Sequence, residues 1–214
     1  EGSILLVGRE PEPPYNRPAL TKGYLAATEG RSMDYFRPPD FWEEQNIELM
    51  TKTSVMKLDA ENKVATLMNK QTLSFDSALV ATGANVRLLR VDGMGQDGIH
   101  YLRAYGNADS LREDLDRFGR RVTCIGGSYI GCEVAATLSR LGCECHVVML
   151  EDVPLQNTLG REMGEWAHQY LESLGVTFHP GQALGRFDGD GERVTKVVTE
   201  SGLEIDTDVV VIGA

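Results

Sequence analysis

Short apolar runs separated by turn residues fill most of this chain, and their spacing predicts strands more often than helices. Ile4 to Val7 is a compact apolar strand that stops at Gly8-Arg9-Glu10. The stretch Pro11-Glu12-Pro13-Pro14-Tyr15-Asn16-Arg17-Pro18 follows, and because proline fixes φ and lacks an N–H it must be an extended loop. A helix start is expected at Thr21-Lys22-Gly23-Tyr24-Leu25. After a second loop at Pro38-Pro39, Asp40 is the expected N-cap of a short helix carrying Phe41 and Trp42. Strands are then predicted at Ile47 to Met50, Thr53 to Asp59 and Val64 to Met68, the last two joined by a turn over Asp59 to Lys63. Leu73 to Ala84 is expected to end in an apolar strand and a small-residue turn.

The pattern changes at Val122 to Glu133, Val-Thr-Cys-Ile-Gly-Gly-Ser-Tyr-Ile-Gly-Cys-Glu. A β-branched run meets Gly126, Gly127 and Gly131, and an apolar stripe at Ile130, Val134, Leu138 and Leu141 has helical spacing, so the order is strand, tight turn, helix. Such a turn suits a dinucleotide. Gly126 permits the sharp bend, residues 127 and 128 permit close approach to a pyrophosphate, Gly131 permits helix and strand to pack, and the helix start at Tyr129 and Ile130 offers N–H groups to the anion. Ser128 departs from the glycine usual at its position. Gly142 closes the helix and Cys145 to Leu150 forms the next strand. Glu151 follows, about 20 residues beyond the last motif glycine, where an acid binds an adenosine ribose 2′-OH and repels a 2′-phosphate. NAD is therefore expected over NADP, although Arg161 could attract a phosphate. The rival reading is a glycine-rich turn that holds no nucleotide.

The rest of the second half repeats the first. A helix is expected from Gly160 to Leu174 and strands at Val176 to Phe178, Leu184 to Phe187 and Val194 to Thr199, with the turn Asp188-Gly-Asp-Gly191 between the last two. The closing segments match at a constant offset: Leu73 with Leu203, Asp76 with Asp206, Leu79 with Val209, Gly83 with Gly213 and Ala84 with Ala214. Two copies of a nucleotide-binding unit imply an α/β fold, each unit a parallel sheet with helices and an antiparallel β excursion, and they imply two nucleotide sites. The first copy begins at its acid-tipped strand, without a glycine turn ahead of Ile4, so the expectation is an excerpt of a longer protein. Gly93-Met-Gly-Gln-Asp-Gly98 marks the passage between copies and Ala108 to Phe118 a linking helix. The boundary is set near His100, giving a partial domain over 1–99 and a nearly complete one over 100–214.

Composition narrows the function classes. With 32 acidic against 21 basic side chains the net charge is −11, which argues against a general nucleic-acid binder and against a polybasic membrane patch. No apolar run approaches the roughly 18 residues of a membrane span, and no signal peptide opens the chain, so a soluble cytoplasmic protein is expected. Cys124, Cys132, Cys143 and Cys145 lack the spacing of paired zinc ligands and contain no Cys-x-x-Cys, so they are read as small buried hydrophobes. His100, His146, His168 and His179 show no metal-like grouping, and Trp166, Tyr170 and Leu174 at helical spacing are expected in the core.

Three segments together carry a family resemblance: Pro14-Tyr15-Asn16-Arg17-Pro18-Ala19-Leu20-Thr21-Lys22, Ala81-Thr82-Gly83-Ala84-Asn85-Val86-Arg87, and Ile125 to Glu133. The chain resembles the FAD-dependent pyridine nucleotide reductases over its whole length, most closely the ferredoxin reductases of oxygenase systems, with rubredoxin reductase and apoptosis-inducing factor as relatives. The resemblance implies FAD and NAD as cofactors. It implies that Arg17 and Arg87 approach the FAD phosphates or ring edges, that the Ala81-Thr82-Gly83 turn packs against the flavin dinucleotide, and that the backbone near Val55 meets the adenine. It also implies that Lys22 lies beside the isoalloxazine and pairs with Glu133, which can reach the nicotinamide carboxamide. The residues alone admit plainer readings, Lys22 as a solvated lysine and Glu133 as a complement to the helix dipole. Arginine stands at position 9 where an acid for the FAD ribose is usual, so Glu10 is the substitute, and the paired-cysteine segment of glutathione reductase-like enzymes is absent.

The implied activity is hydride transfer from NADH to FAD followed by electron transfer to a small iron–sulfur protein. The alternatives are an NADH oxidase or peroxidase and a non-enzymatic NADH-responsive binding module similar to apoptosis-inducing factor. Most ferredoxins are acidic, so this acidic chain needs a local basic face, for which Arg87, Arg90 and Arg103 are the candidates. A homodimer is compatible with the sequence.

Overall fold

Two apolar runs pair side by side: β1 (Ile4–Val7) runs parallel to β2 (Ile47–Met50), with Ile4 opposite Ile47 and Val7 opposite Met50. The computed structural model describes residues 2–213. These fall into two compact units, one comprising the chain up to Asn16 together with Gly30–Asn85, the other Arg17–Glu29 together with the chain from Val86 onward. In the first unit, α1 (Arg31–Asp34) and α2 (Pro39–Glu44) lie between the two strands in sequence. Asp40 is not the cap of α2. Pro38 holds that position in extended conformation, Pro39 opens the helix, and Asp40 falls in its first turn, where a carboxylate still suits the helix dipole. Beyond β2, β3 (Val55–Asp59), β4 (Val64–Leu67) and β5 (Thr72–Ser74) form an antiparallel sheet in that order, with Ala65 and Leu67 buried beneath it.

The apolar strand predicted at the end of Leu73 to Ala84 does not form. Residues 77–91 have no regular secondary structure, and Leu79 and Val80 are 92% and 65% exposed. A strand is held by lateral hydrogen bonds, and among the described residues no strand runs beside this segment.

The second unit opens on a 3-10 helix, Arg17–Thr21, where an α-helix beginning at Thr21 was expected. Gly23 and a left-handed Ala27 (φ 56°) break any continuation into turns. Tyr24 fixes those turns: its ring meets Tyr105 edge-on at 4.5 Å and its hydroxyl bonds Asp109 at 2.5 Å. The remaining elements are β6 (Ile99–Tyr101), α3 (Tyr105–Phe118), β7 (Arg121–Ile125), α4 (Tyr129–Arg140), β8 (Glu144–Val148), α5 (Gln156–Leu159), α6 (Arg161–Ser173), β9 (Val176–His179), β10 (Leu184–Gly189), β11 (Val194–Thr199), β12 (Glu204–Asp206) and β13 (Val209–Ile212). Five of the strands make a parallel sheet in the order β6-β13-β7-β8-β9, and β10-β11-β12 make an antiparallel sheet.

The core of this unit forms where the two sheets meet. Ile125, Val148, Val210 and Ile212 from the parallel sheet pack with Phe187, Val194, Val197 and Ile205 from the antiparallel one. Val209, Val210 and Val211 are all fully buried, each stabilising the fold by roughly 1.5 kcal/mol or more. Ahead of β13, the Asp208 carboxylate accepts the Arg121 backbone N–H (3.0 Å), Nε (3.1 Å) and Nη2 (2.6 Å), which sets the register of β13 against β7. Burial raises its pKa, but the Arg121 hydrogen bonds outweigh burial and hold the carboxyl below its ordinary value.

On α6 the expected core stripe faces outward. Gly164, Ala167 and Leu171 are the buried positions, while Trp166 and Tyr170 are 60% and 42% exposed and stack on each other at 5.5 Å. Leu174 is half-buried just past the helix end. Small residues won the buried side because Gly164 lies so close to Val153 and Pro154 that no side chain fits there.

Candidate functional site

The glycine turn follows directly from β7 and leads into α4. Gly126 has φ 103°, a left-handed conformation suited to glycine, and a Cβ on Gly131 would collide with the Gly126 carbonyl. Ser128 occupies the N-cap of α4 but does not cap it; its hydroxyl bonds the carbonyl of Gly213, just past β13. Serine in place of the usual glycine thus ties the turn to β13 while leaving the first-turn N–H groups uncapped by its side chain. Gly127 is buried, Ile130 half-buried and Tyr129 exposed. Gly213 N–H returns a bond to Ile125 O at 2.8 Å, so Gly213 lies beside the turn, while Ala214, the repeat counterpart of Ala84, lies outside the described residues.

Glu151 lies three residues past β8, and its Oε1 accepts the Asn157 amide at 2.6 Å. Arg161 is engaged elsewhere, with Asp152 at 3.2 Å and Glu165 at 2.9 Å. The N–H donors of the uncapped helix start, the close turn and an accepting carboxylate past the next strand fit a dinucleotide with a free ribose diol.

Lys22 and Glu133, far apart in sequence, meet. Lys22 Nζ bonds Glu133 Oε2, and the Thr21 hydroxyl reaches the same oxygen at 2.5 Å. Glu133 projects from the first half of α4, one turn from the glycine turn. Both members of the pair are partly exposed, so it contributes about 1 kcal/mol or less to stability. Its value is positional: a cation and a carboxylate are held near the glycine turn. Arg17, in the same segment, bonds the carbonyl of Arg103.

The other predicted residues are more dispersed. Glu10 accepts the Tyr15 hydroxyl at 2.6 Å, and Val55 is exposed on β3. Ala81, Thr82, Gly83 and Arg87 are exposed along the irregular segment. Of the candidate docking arginines, Arg87 and Arg90 are exposed and Arg103 is half-buried. Clefts of 270 and 390 Å3 lie away from the turn, the first lined by Arg117, Phe118 and Arg193, the second by His146, His179 and Glu204.

The cysteines are all free and buried. Burial, assisted by Glu133, pushes the Cys132 thiol up to about 12, and burial pushes Cys145 up to about 12, so neither supplies a thiolate near neutral pH. His100 bonds Asp114 at 2.9 Å, and burial lowers its pKa against the pull of that carboxylate. Among the described residues no three metal-ligating side chains converge, and no helix is long and apolar enough to cross a membrane. Sequence reading missed Thr21, Thr137 and Asn157. Of these Thr21 stands in the resemblance-carrying segment beside Lys22, and Thr137 lies one turn beyond Glu133 on the same helix face.

The fold and this turn define an α/β dinucleotide-binding protein. The chain belongs to the pyridine nucleotide-disulphide oxidoreductase family, whose profile matches residues 1–214. It is similar to the ferredoxin–NAD(+) reductase subunit of a benzene 1,2-dioxygenase system from Pseudomonas putida, 33% identical over 207 residues, covering 94% of this chain and 48% of that subunit. Among solved structures it is similar to the ferredoxin reductase for the CYP199A2 system from Rhodopseudomonas palustris (TM-score 0.93, 30% identity, 100% of this chain and 52% of that one). It is also similar to a chain in the covalent putidaredoxin reductase–putidaredoxin complex (TM-score 0.91, 29% identity, 100% and 52%). The chain spans about half the length of these relatives.

Proposed function

We propose that the protein is an FAD-dependent NADH oxidoreductase that delivers electrons to a small iron–sulfur protein. The carrying observation is the Lys22–Glu133 pair set one helical turn from an uncapped dinucleotide turn. Relatives named as ferredoxin reductases, one solved with putidaredoxin, support the choice of acceptor.

In this reading residues 100–214 are the NAD-binding domain and 1–99 part of the FAD-binding domain. Gly126, whose own N–H is held by the Val148 carbonyl, Gly127 and Ser128 bring backbone close to the NADH pyrophosphate, Tyr129, Ile130 and Gly131 present the first-turn N–H groups, Gly213 supports the turn, and Glu151 takes the ribose diol. Glu133 accepts the nicotinamide carboxamide N–H and so orients the ring for transfer. Lys22 holds a positive charge where negative charge develops on the acceptor. Arg17, Arg87, Val55, Glu10 and the Ala81-Thr82-Gly83 turn are assigned to FAD. Bound FAD would supply the exchange between a two-electron donor and a one-electron acceptor. We place the enzyme in the cytoplasm, with a homodimer as one arrangement to test.

The test is turnover of the full-length protein with NADH and a choice of acceptors. A one-electron dye or ferredoxin should be reduced much faster than oxygen. Rapid oxygen consumption with poor dye reduction would favour an NADH oxidase instead.

A further inference from the structure

Glu133 can orient a nicotinamide only if its own carboxylate keeps one direction, and Lys22 is a poor keeper of that direction. Its ammonium sits on a flexible four-carbon stem, and its side chain is 49% exposed. Thr21 is the opposite: 6% exposed, β-branched and stiff at χ1. We propose that Thr21 is a positioning residue whose buried hydroxyl donates to Glu133 Oε2 and leaves Oε1 as the oxygen that receives the carboxamide N–H.

The hydrogen-bond arithmetic supports this. Thr21 Oγ1 lies 2.5 Å from Glu133 Oε2 and 2.9 Å from the Pro18 carbonyl, but a hydroxyl has one proton and can donate to only one of them. Lys22 Nζ, 3.2 Å away, donates to Thr21 Oγ1, so the Thr21 proton is directed elsewhere. The shorter, charged acceptor is Glu133. Lys22 also reaches the Pro18 carbonyl at 3.4 Å, which keeps that group partnered when the Thr21 proton goes to Glu133.

A second threonine makes the arrangement rigid. Thr137, one turn beyond Glu133 on α4, donates to the Thr21 carbonyl at 2.7 Å. Thr21 is thereby clamped to the helix that carries Glu133 by its backbone and to Glu133 itself by its side chain. The hydroxyl direction does not depend on where the lysine stem lies.

This inference rests on the reading of Glu133 as the carboxamide acceptor, and its test separates the two. In the full-length, flavin-loaded protein, affinities for NAD+ and for 3-acetylpyridine adenine dinucleotide, whose acetyl group has no N–H, are measured by calorimetry. Wild type should prefer NAD+ by about tenfold, Thr21→Val should fall to near parity and Thr21→Ser should keep the preference. Glu133→Ala should abolish it, and Thr21→Val should then add nothing. A Thr21→Val protein that keeps the preference while Glu133→Ala loses it overturns the role of Thr21 alone. A preference that survives Glu133→Ala overturns both readings. Loss of preference in Thr21→Ser, or a further effect of Thr21→Val in the Glu133→Ala background, marks Thr21 as structural and also overturns the proposal.

Discussion

The segments 73–84 and 203–213 share a hydrophobic pattern in register, yet residues 77–84 of the first are irregular and exposed while residues 209–212 of the second form β13, buried at every position. Leu79 and Val80 are 92% and 65% exposed, whereas their counterparts Val209 and Val210 are both fully buried. The difference lies in the neighbours. β13 runs between β6 and β7, is locked at its start by Asp208 and Arg121, and packs against the β10-β11-β12 sheet. Residues 77–84 of the earlier segment pair with no strand among the described residues. An apolar run specifies what a segment can become, and its hydrogen-bonding neighbours decide whether it does.

Hydrogen exchange should register the largest contrast. In this 214-residue chain, amides of Val209 to Ile212 should exchange at least a thousandfold more slowly than those of residues 78–82, because their opening requires global unfolding at about 5 kcal/mol or more. Comparable rates would mean that the first segment has found a partner.

Asp208→Asn should lower stability by about 2 kcal/mol in denaturant titrations near neutral pH, since it breaks the charged contact with Arg121. The pH dependence has a definite sign. The folded pKa of Asp208 lies below its unfolded value, so its contribution is present above about pH 4 and is lost as pH falls through the folded pKa. The variant should therefore lose less stability than wild type on acidification. Val210→Ala should likewise cost about 2 kcal/mol, while Val80→Ala should fall within about 0.5 kcal/mol of wild type. Equal costs would erase the contrast between the segments.

A smaller test compares the acids that follow the two corresponding strands. Glu151 holds Asn157 and Glu10 holds Tyr15. Glu151→Ser should narrow the preference of the full-length enzyme for NADH over NADPH by about tenfold, read as the ratio of kcat/KM values. An unchanged ratio would remove Glu151 from the ribose.

What the sequence reveals follows the range of the interactions. The strand, turn and helix from Arg121 to Arg140 are legible because Gly126 and Gly131 answer local geometric demands. The exposed segment around Leu79 was misread because strand pairing is not local. Trp166 and Tyr170 were misread because helical spacing identifies a face without saying whether it turns inward, and the close approach of Val153 to Gly164 decides that. The Lys22–Glu133 contact bridges 111 positions and came from family resemblance, not spacing. Thr21 stands in the segment that carries the resemblance, but its positioning role depends on a hydroxyl direction set by tertiary packing and has no local pattern.

Anaerobic titration of the full-length protein with NADH, followed by flavin absorption, bears on the proposed reduction of a bound flavin by NADH. The expected result is a yellow protein that bleaches with about one equivalent of NADH per flavin. A colourless protein, or a flavin spectrum unchanged by excess NADH, would overturn the proposed function.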